Sequence, residues 1–582
     1  MKHSWDILNA YRGKLVQGDW PTIPELFLIS LERHPDRACF TVFDPGKNTL
    51  TYRDVHREIM RIAGYLIEAG VKPGEKVVLT GANSPQWGLA YLAILFAGAV
   101  AVPLDTQMAE QRMLELGQFS DSVFLFADYG HVEKFDKSHP WFRSLKGVVL
   151  LRSGKGKKQT TYSDIMNIKP QHAHERVLIS SDSVAAILFT SGTTGNEKGA
   201  ILTHTNLTSD AYQACDGIFL NISHEDVFYV FMPLHHSYCT TAVFLESILH
   251  GSEAVFGSSM AVTKLLSDMK TGHVTIFLGI PLLYNKLLAG LMKKVREKGL
   301  LAYGVIRLLM KINGILKRRF GINMGKKWFK TMLSGIGMLE NSICICGAGP
   351  LAPQVFRQFQ QLGLDFIQGY GLTEASPILT LNPVSKFKID SIGMIFPLVE
   401  MKVDSPNASG VGELVVKGPN ICQGYYKDPK QTAELFTKDG YMRTGDLGSI
   451  DEENYVYLKG RIKNMIVTDG GKNVYPEEIE DGFQLYPQVE QVLVRGYIAD
   501  KALKKEAIEV LIFPNSDYYK GKGITDKTVI RKDLEKVVAE VNRTLVAYKK
   551  ISRIIILDEA MDMTSTKKIK RTSVGHTEDV IA

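Results

Sequence analysis

The sequence predicts an α/β protein with a large N-terminal domain of several subdomains and parallel-rich sheets, followed by a small C-terminal α/β domain. Three observations carry this. A chain of 582 residues is too long for one ordinary core. Short apolar runs alternate with amphipathic helical patterns, as parallel sheets with crossover helices require. The pattern then changes near Gly460, leaving a stretch of domain length to the end. We therefore divide the chain into 1–460 and 461–582.

In order, "KVVLTGA" (Lys76 to Ala82), "AVAVPL", "SVFLFAD", "GVVLL", "VAAILFT" and "VTIFLGI" read as buried strands. "WGLAYLAILFAGAVAVPL" (Trp87 to Leu104) carries no charge and nearly reaches membrane-spanning length. Gly98 and Pro103 interrupt it, and Ser84-Pro85 supplies an N-cap and first helical residue. It is therefore expected to be a buried helix running into a buried strand. The segment 282–341 reads as a helical insert rich in Lys and Arg. "GELVVKGPNICQGYY" and "ENYVYLKGR" read as hairpin-like segments.

Composition excludes some functions. An apolar content of 45% is that of a globular chain, and a net charge of +7 is modest for this length. No motif interleaves cations with aromatics for RNA or DNA, so no nucleic-acid partner is expected. Six scattered cysteines lack paired zinc spacing and read as buried free thiols in a reducing compartment. The N-terminus lacks the apolar core of a signal peptide, and a cytoplasmic protein is expected.

"ILFTSGTTGNEKGAILTH" (Ile187 to His204) carries the chemical question. Glycines let backbone N–H groups approach anionic oxygens, and hydroxyls and Lys198 add donors and charge. The order Gly192, Gly195, Lys198 does not match G-x-x-x-x-G-K-[ST], so this is not a P-loop. Alone, it could be a plain Gly/Thr turn. Four more motifs follow: "QGYGLTEASP" (Gln368 to Pro377), "YMRTGDLG" (Tyr441 to Gly448, an acid in a turn), "GRIKNMIVTDGGKNVYPEEIE" (Gly460 to Glu480) and "TSTKKIKR" (Thr564 to Arg571).

This ordered set resembles the adenylate-forming superfamily of acyl-CoA synthetases, peptide-synthetase adenylation domains and firefly-type luciferases. The match runs from "LTYRDV" (Leu50 to Val55) to the last Lys motif. The resemblance implies that Thr190, Ser191, Gly192, Thr193, Thr194, Gly195 and Lys198 hold the β- and γ-phosphates of ATP. Thr373 would bind the α-phosphate and Glu374 would hold Mg²⁺. Gln368 and Tyr370 would face adenine, with Ala348, Gly349 and Pro350 over its other face. Asp446 and Arg461 would bind ribose. Lys568 would be the catalytic Lys, with Lys567 as a rival because the family often has Gly-Lys here. His236 in "FMPLHHSY" would line the acyl site. Lys463 would be the hinge of a mobile C-terminal domain, and Gly471 would line the path of the CoA pantetheine arm.

The same resemblance implies an AMP-forming ligase, closest to long-chain fatty acid CoA ligases. It would use a fatty acid, Mg-ATP and CoA, and give acyl-CoA, AMP and pyrophosphate. Two alternatives stay open: loading of an acyl carrier protein in trans, and a noncatalytic adenylate-binding protein at a membrane. In the insert, Arg307, Lys311 and Arg318 recur at helical spacing amid apolar residues. That pattern suits either peripheral contact with the inner membrane face or a solvated flap.

Overall fold

The computed structural model describes residues 3–152, 159–168, 177–190, 197–259, 261–468, 472–500, 505–564 and 568–571. Among them, two large sheets organise the N-terminal region. One has nine strands, in the order Met394–Ile395, Ile378–Leu381, Asp365–Gly371, Ile343–Cys346, Ile276–Gly279, Val227–Val230, Glu253–Phe256, Ala38–Val42 and Asn48–Thr51. Its interior pairings are parallel, and antiparallel strands close both edges. The other has seven strands and is parallel except for its last pair, Val184–Thr190 with Lys198–Thr203.

The Pro85–Phe96 helix lies between these sheets, packed on strands of both. Its Ser84 cap accepts from the Trp87 N–H, and Pro85 opens the first turn. Every residue from Trp87 to Phe96 is buried, because an all-apolar helix is stable only with cover on all sides. Each large side chain so buried contributes about 1.5–3 kcal/mol. No helix among the described residues is long and apolar enough to cross a membrane. All six cysteines are free and buried.

A four-stranded antiparallel sheet follows: Glu400–Asp404, Gly412–Lys417, Met442–Ile450 and Val456–Arg461. The smaller C-terminal domain has its own apolar cluster, which begins at Ile466 and includes Val494, Val510, Leu534 and Val538. Its sheet joins Val489–Asp500, Lys505–Pro514 and Arg553–Ile556, with the Lys527–Thr544 helix packed into the same cluster.

Segment 282–341 is mainly two helices, Pro281–Glu297 and Leu300–Phe320. One feature differs from the sequence reading. Arg307 does not share an outward cationic face with Lys311 and Arg318. It turns inward, and its Nη1 donates to Gln358 Oε1 at 2.8 Å. Helical spacing alone does not tell which face meets the protein.

Candidate active site

The strands on either side of the glycine loop pair antiparallel. Thr190 ends one strand, Lys198 begins the next, and the two are cross-strand partners. Ser191, Gly192, Thr193, Thr194 and Gly195 lie outside the described residues. Arg112 Nε donates to Glu197 Oε2 at 2.9 Å, so the neighbouring acid is engaged away from Lys198. The 423–426 segment runs beside the Lys198–Thr203 strand, bonded through Gln423 N–H to Ile201 O at 3.0 Å and Tyr426 N–H to Gly199 O at 2.8 Å. This places the Tyr425 ring 4.9 Å from Lys198 Nζ.

Tyr425 also touches the second motif. Its hydroxyl donates to Glu374 Oε1 at 2.7 Å, and the Cys422 N–H donates to the Glu374 carbonyl at 2.8 Å. Glu374 sits in the short 3-10 turn Thr373–Ala375, directly after the Asp365–Gly371 strand. Gly371 is required there, because a Cβ would lie 1.8 Å from the Pro377 carbonyl oxygen. Below the turn is a buried polar brace. Asn420 Nδ2 reaches the carbonyls of Ala375 (3.1 Å) and Ile378 (2.8 Å) and the Asp210 carboxyl (3.2 Å). Asp210 also accepts from the Ile378 N–H at 3.2 Å. Burial pushes the Asp210 carboxyl well above its usual range. Thr373 Oγ1 accepts from Ser237 Oγ at 3.4 Å, next to His236.

Gln368 is buried on the same strand, in register with Cys346. Beyond Cys346 comes the Ala348–Pro350 turn, in which Ala348 is left-handed at φ 65°. The C-terminal domain grips this turn. Gln484 Nε2 donates to the Pro350 carbonyl at 3.2 Å, while its Oε1 accepts the Ala352 N–H at 2.9 Å.

Asp446 corrects the sequence reading. It lies on the Met442–Ile450 strand, not in a turn. Its flanking glycines read as a turn signal, but Gly445 takes φ 71° beside a bulge and the strand continues. Asp446 stands opposite Arg461, whose Nε lies 3.0 Å from its Oδ1. Tyr370 Oη donates to Asp446 Oδ2 at 2.7 Å. A carboxylate offers about four lone-pair sites, so Asp446 retains capacity for two further donors.

Lys568 reaches the same neighbourhood from the C-terminal domain. It pairs with Thr564: its N–H donates to Thr564 Oγ1 at 3.1 Å and its carbonyl accepts the Thr564 N–H at 2.8 Å. Arg571 anchors that segment, with Nη2 2.6 Å from Glu480 Oε2 and Nη1 donating to the Val494 carbonyl at 2.9 Å. Lys568 is open to solvent at its surface, yet the surrounding walls desolvate it. Its pKa falls to about 8, with Arg461 repulsion adding and Asp446 opposing. His236 feels Lys568 as well. Desolvation first, then His235, lowers its pKa to about 3, so it is a neutral imidazole beside the cation. Lys463 lies in the Ile462–Asn464 turn entering the C-terminal domain. Gly471 and Lys567 lie outside the described residues.

These interactions link Lys198, Thr373, Glu374, Tyr370, Asp446, Arg461, His236 and Lys568 into one neighbourhood. Sequence reasoning missed several supports. Asp105 Oδ1 lies 3.5 Å from His235 Nε2. Asn83 clamps the His-bearing segment, donating to the Met232 carbonyl at 2.6 Å and accepting the Leu234 N–H at 3.0 Å. Tyr425 was visible only as part of "QGYY", which carries no sign of its partner.

Comparison with known proteins places the chain in a family. Residues 27–426 match the family model described as AMP-binding enzyme, and the chain belongs to that family. Within it, the chain is an adenylate-forming ligase. It is 29% identical to a feruloyl-CoA synthase of Amycolatopsis sp. over 78% of this chain and 81% of that one. It is 26% identical to a chloroplastic long-chain-fatty-acid–[acyl-carrier-protein] ligase of Arabidopsis thaliana, over 96% of this chain and 86% of the relative. The solved structure of an anthranilate CoA ligase in complex with anthranoyl-AMP superposes with a TM-score of 0.76. It covers 95% of this chain and 96% of its own, at 18% identity.

Proposed function

We propose that the protein activates a fatty acid with Mg-ATP and transfers the acyl group to CoA, giving acyl-CoA, AMP and pyrophosphate. The observation that carries this is that Lys568 of the C-terminal domain, Asp446, Arg461 and His236 act on one another electrostatically, with Thr373 bonded to Ser237 beside His236 and Glu374 acting on Arg461. In the first step a carboxylate oxygen attacks the α-phosphorus. The bond to the bridging oxygen breaks and pyrophosphate leaves. Lys568 bridges the incoming carboxylate and the α-phosphate, and so neutralises charge as it shifts between them. Thr373 binds the α-phosphate, and Lys198 with the 190–195 loop holds the departing phosphates. Asp446 accepts the ribose hydroxyls beside Arg461. Tyr370 and Gln368 face one side of the adenine, and Ala348, Gly349 and Pro350 the other. Neutral His236 lines the acyl side without repelling Lys568.

The Glu374 carboxylate, fixed at one oxygen by Tyr425, suits a hard cation that also binds phosphate oxygens. Glu374 would hold Mg²⁺, which supplies charge neutralisation on the phosphates.

In the second step the CoA thiol attacks the acyl carbonyl and AMP leaves. The C-terminal domain, 461–582, turns about Lys463, withdraws Lys568 and brings Gly471 to the pantetheine path. The feruloyl-CoA relative supports CoA as acceptor. The relative that spans 96% of this chain supports a second reading, transfer to an acyl carrier protein, and also supports the fatty acid. Pyrophosphate release across a set of fatty and aryl acids, with CoA or carrier protein and with products followed by mass, separates these. A long-chain acyl-CoA product supports the first reading. Thioester on the carrier alone supports the second. Turnover with aryl acids only removes the fatty acid.

A further inference from the structure

The Leu300–Phe320 helix has two faces of opposite character. On one, Met310 and Asn313 are buried, and Arg307, Asn313 and Lys317 bond to Gln358, the Gln361 carbonyl and Asp365. That face fixes the helix onto the N-terminal domain. On the other, Leu301, Val305, Leu308, Ile312 and Ile315 stand between 38% and 85% exposed. Their spacing of four, three, four and three keeps them in one stripe along the helix. Phe320, Ile322 and Trp328 extend the exposed apolar surface beyond its end. Exposed Lys311 and Arg318 line one edge of the stripe, and Arg319 closes it. The helix contains no Asp or Glu. Apolar surface gathered in this way marks a contact site, and the question is what covers it.

We propose that this face docks on an anionic lipid bilayer, with the stripe in the headgroup–acyl boundary and the three cations on the lipid phosphates. Charge decides between the two candidate occupants. The same spacing would fit a pairing with a second copy, but that would bring cationic edges together with no acidic partner on the helix. An anionic surface satisfies them instead. The placement stands on the helix alone and does not need the fatty-acid reading. If that reading holds, docking sets the enzyme where long-chain acids partition.

The test is co-sedimentation of the full chain with phosphatidylcholine vesicles, with and without phosphatidylglycerol, at low and high salt. Wild type should pellet with the anionic vesicles and be released by salt. Leu301→Glu combined with Leu308→Glu and Ile315→Glu should lose binding at least tenfold. Lys311→Glu with Arg318→Glu should lose the preference for phosphatidylglycerol. Arg307→Gln should bind as wild type, since Arg307 faces the protein. Circular dichroism and melting confirm that each variant is folded without reference to catalysis. Wild type that fails to pellet at low salt overturns the proposal, as does a triple variant that binds unchanged. A dimer by light scattering that the triple variant converts to monomer assigns the stripe to a second copy instead.

Discussion

The two sides of this neighbourhood are built differently. The side bearing Glu374 is tied into the interior: Tyr425 holds the side chain, Cys422 holds the backbone, and the Asp210–Asn420 brace lies beneath. The side bearing Lys568 is a short segment held through Arg571 and Glu480, on a domain with a separate core. The first arrangement holds Glu374 in place from several sides, as the proposed nucleotide site requires. The second belongs to a domain with its own core, as the proposed withdrawal of Lys568 requires. The two-step reaction proposed above would use both, with Lys568 present for adenylation and withdrawn before a thiol enters.

The largest expected effect comes from removing the cation. Lys568→Ala should reduce adenylation about 10²–10³-fold, the scale of losing one charge-stabilising group. It should leave thioester formation from supplied acyl-adenylate near wild type. Equal loss of both half-reactions would break the contrast between the two sides. Next, Gly371→Ala forces a Cβ into the Pro377 carbonyl and should displace the Thr373–Glu374 turn. ATP affinity should fall about tenfold or more, with both half-reactions affected, and calorimetric titration reads it.

Arg571→Ala should cost adenylation about tenfold through loss of the position of the Lys568 segment, with nucleotide binding retained. A matching defect in Glu480→Gln would sharpen the assignment. Fourth, kcat/KM for adenylation should fall as pH rises through about 8, because Lys568 carries its charge below that value and loses it above. Lys568→Arg should remove this limb, since a guanidinium stays charged. The smallest effect is Tyr425→Phe, a loss of about 1 kcal/mol in holding Glu374, visible as a raised Mg²⁺ requirement.

Much of the scaffold could be read from the chain. "VAAILFT" is the strand Val184–Thr190, and the uncharged 87–104 stretch is a buried helix followed by a strand. These succeed because periodicity and capping are local. The turn assigned to Asp446 fails for a local reason too: two glycines look like a turn until a bulge lets the strand pass through. What no local pattern could supply is pairing across distance. Tyr425 meets Glu374, Asp210 meets Asn420, and Asp105 meets His235 only after the sheets have assembled. The inward turn of Arg307 is the same kind of fact, set by the neighbouring Pro353–Gln361 helix rather than by its own spacing.

The Pro85–Phe96 helix has a consequence in time. Gly88 packs against Phe244 and Phe256, which lie roughly 160 residues further along the chain. At the usual pace of synthesis, about 10–30 s pass between the ribosomal exit of the helix and that of its cover. Throughout that interval a wholly greasy segment waits for a sheet not yet made. A nascent chain of this protein should therefore engage holdase chaperones early, and truncations that stop before residue 256 should aggregate.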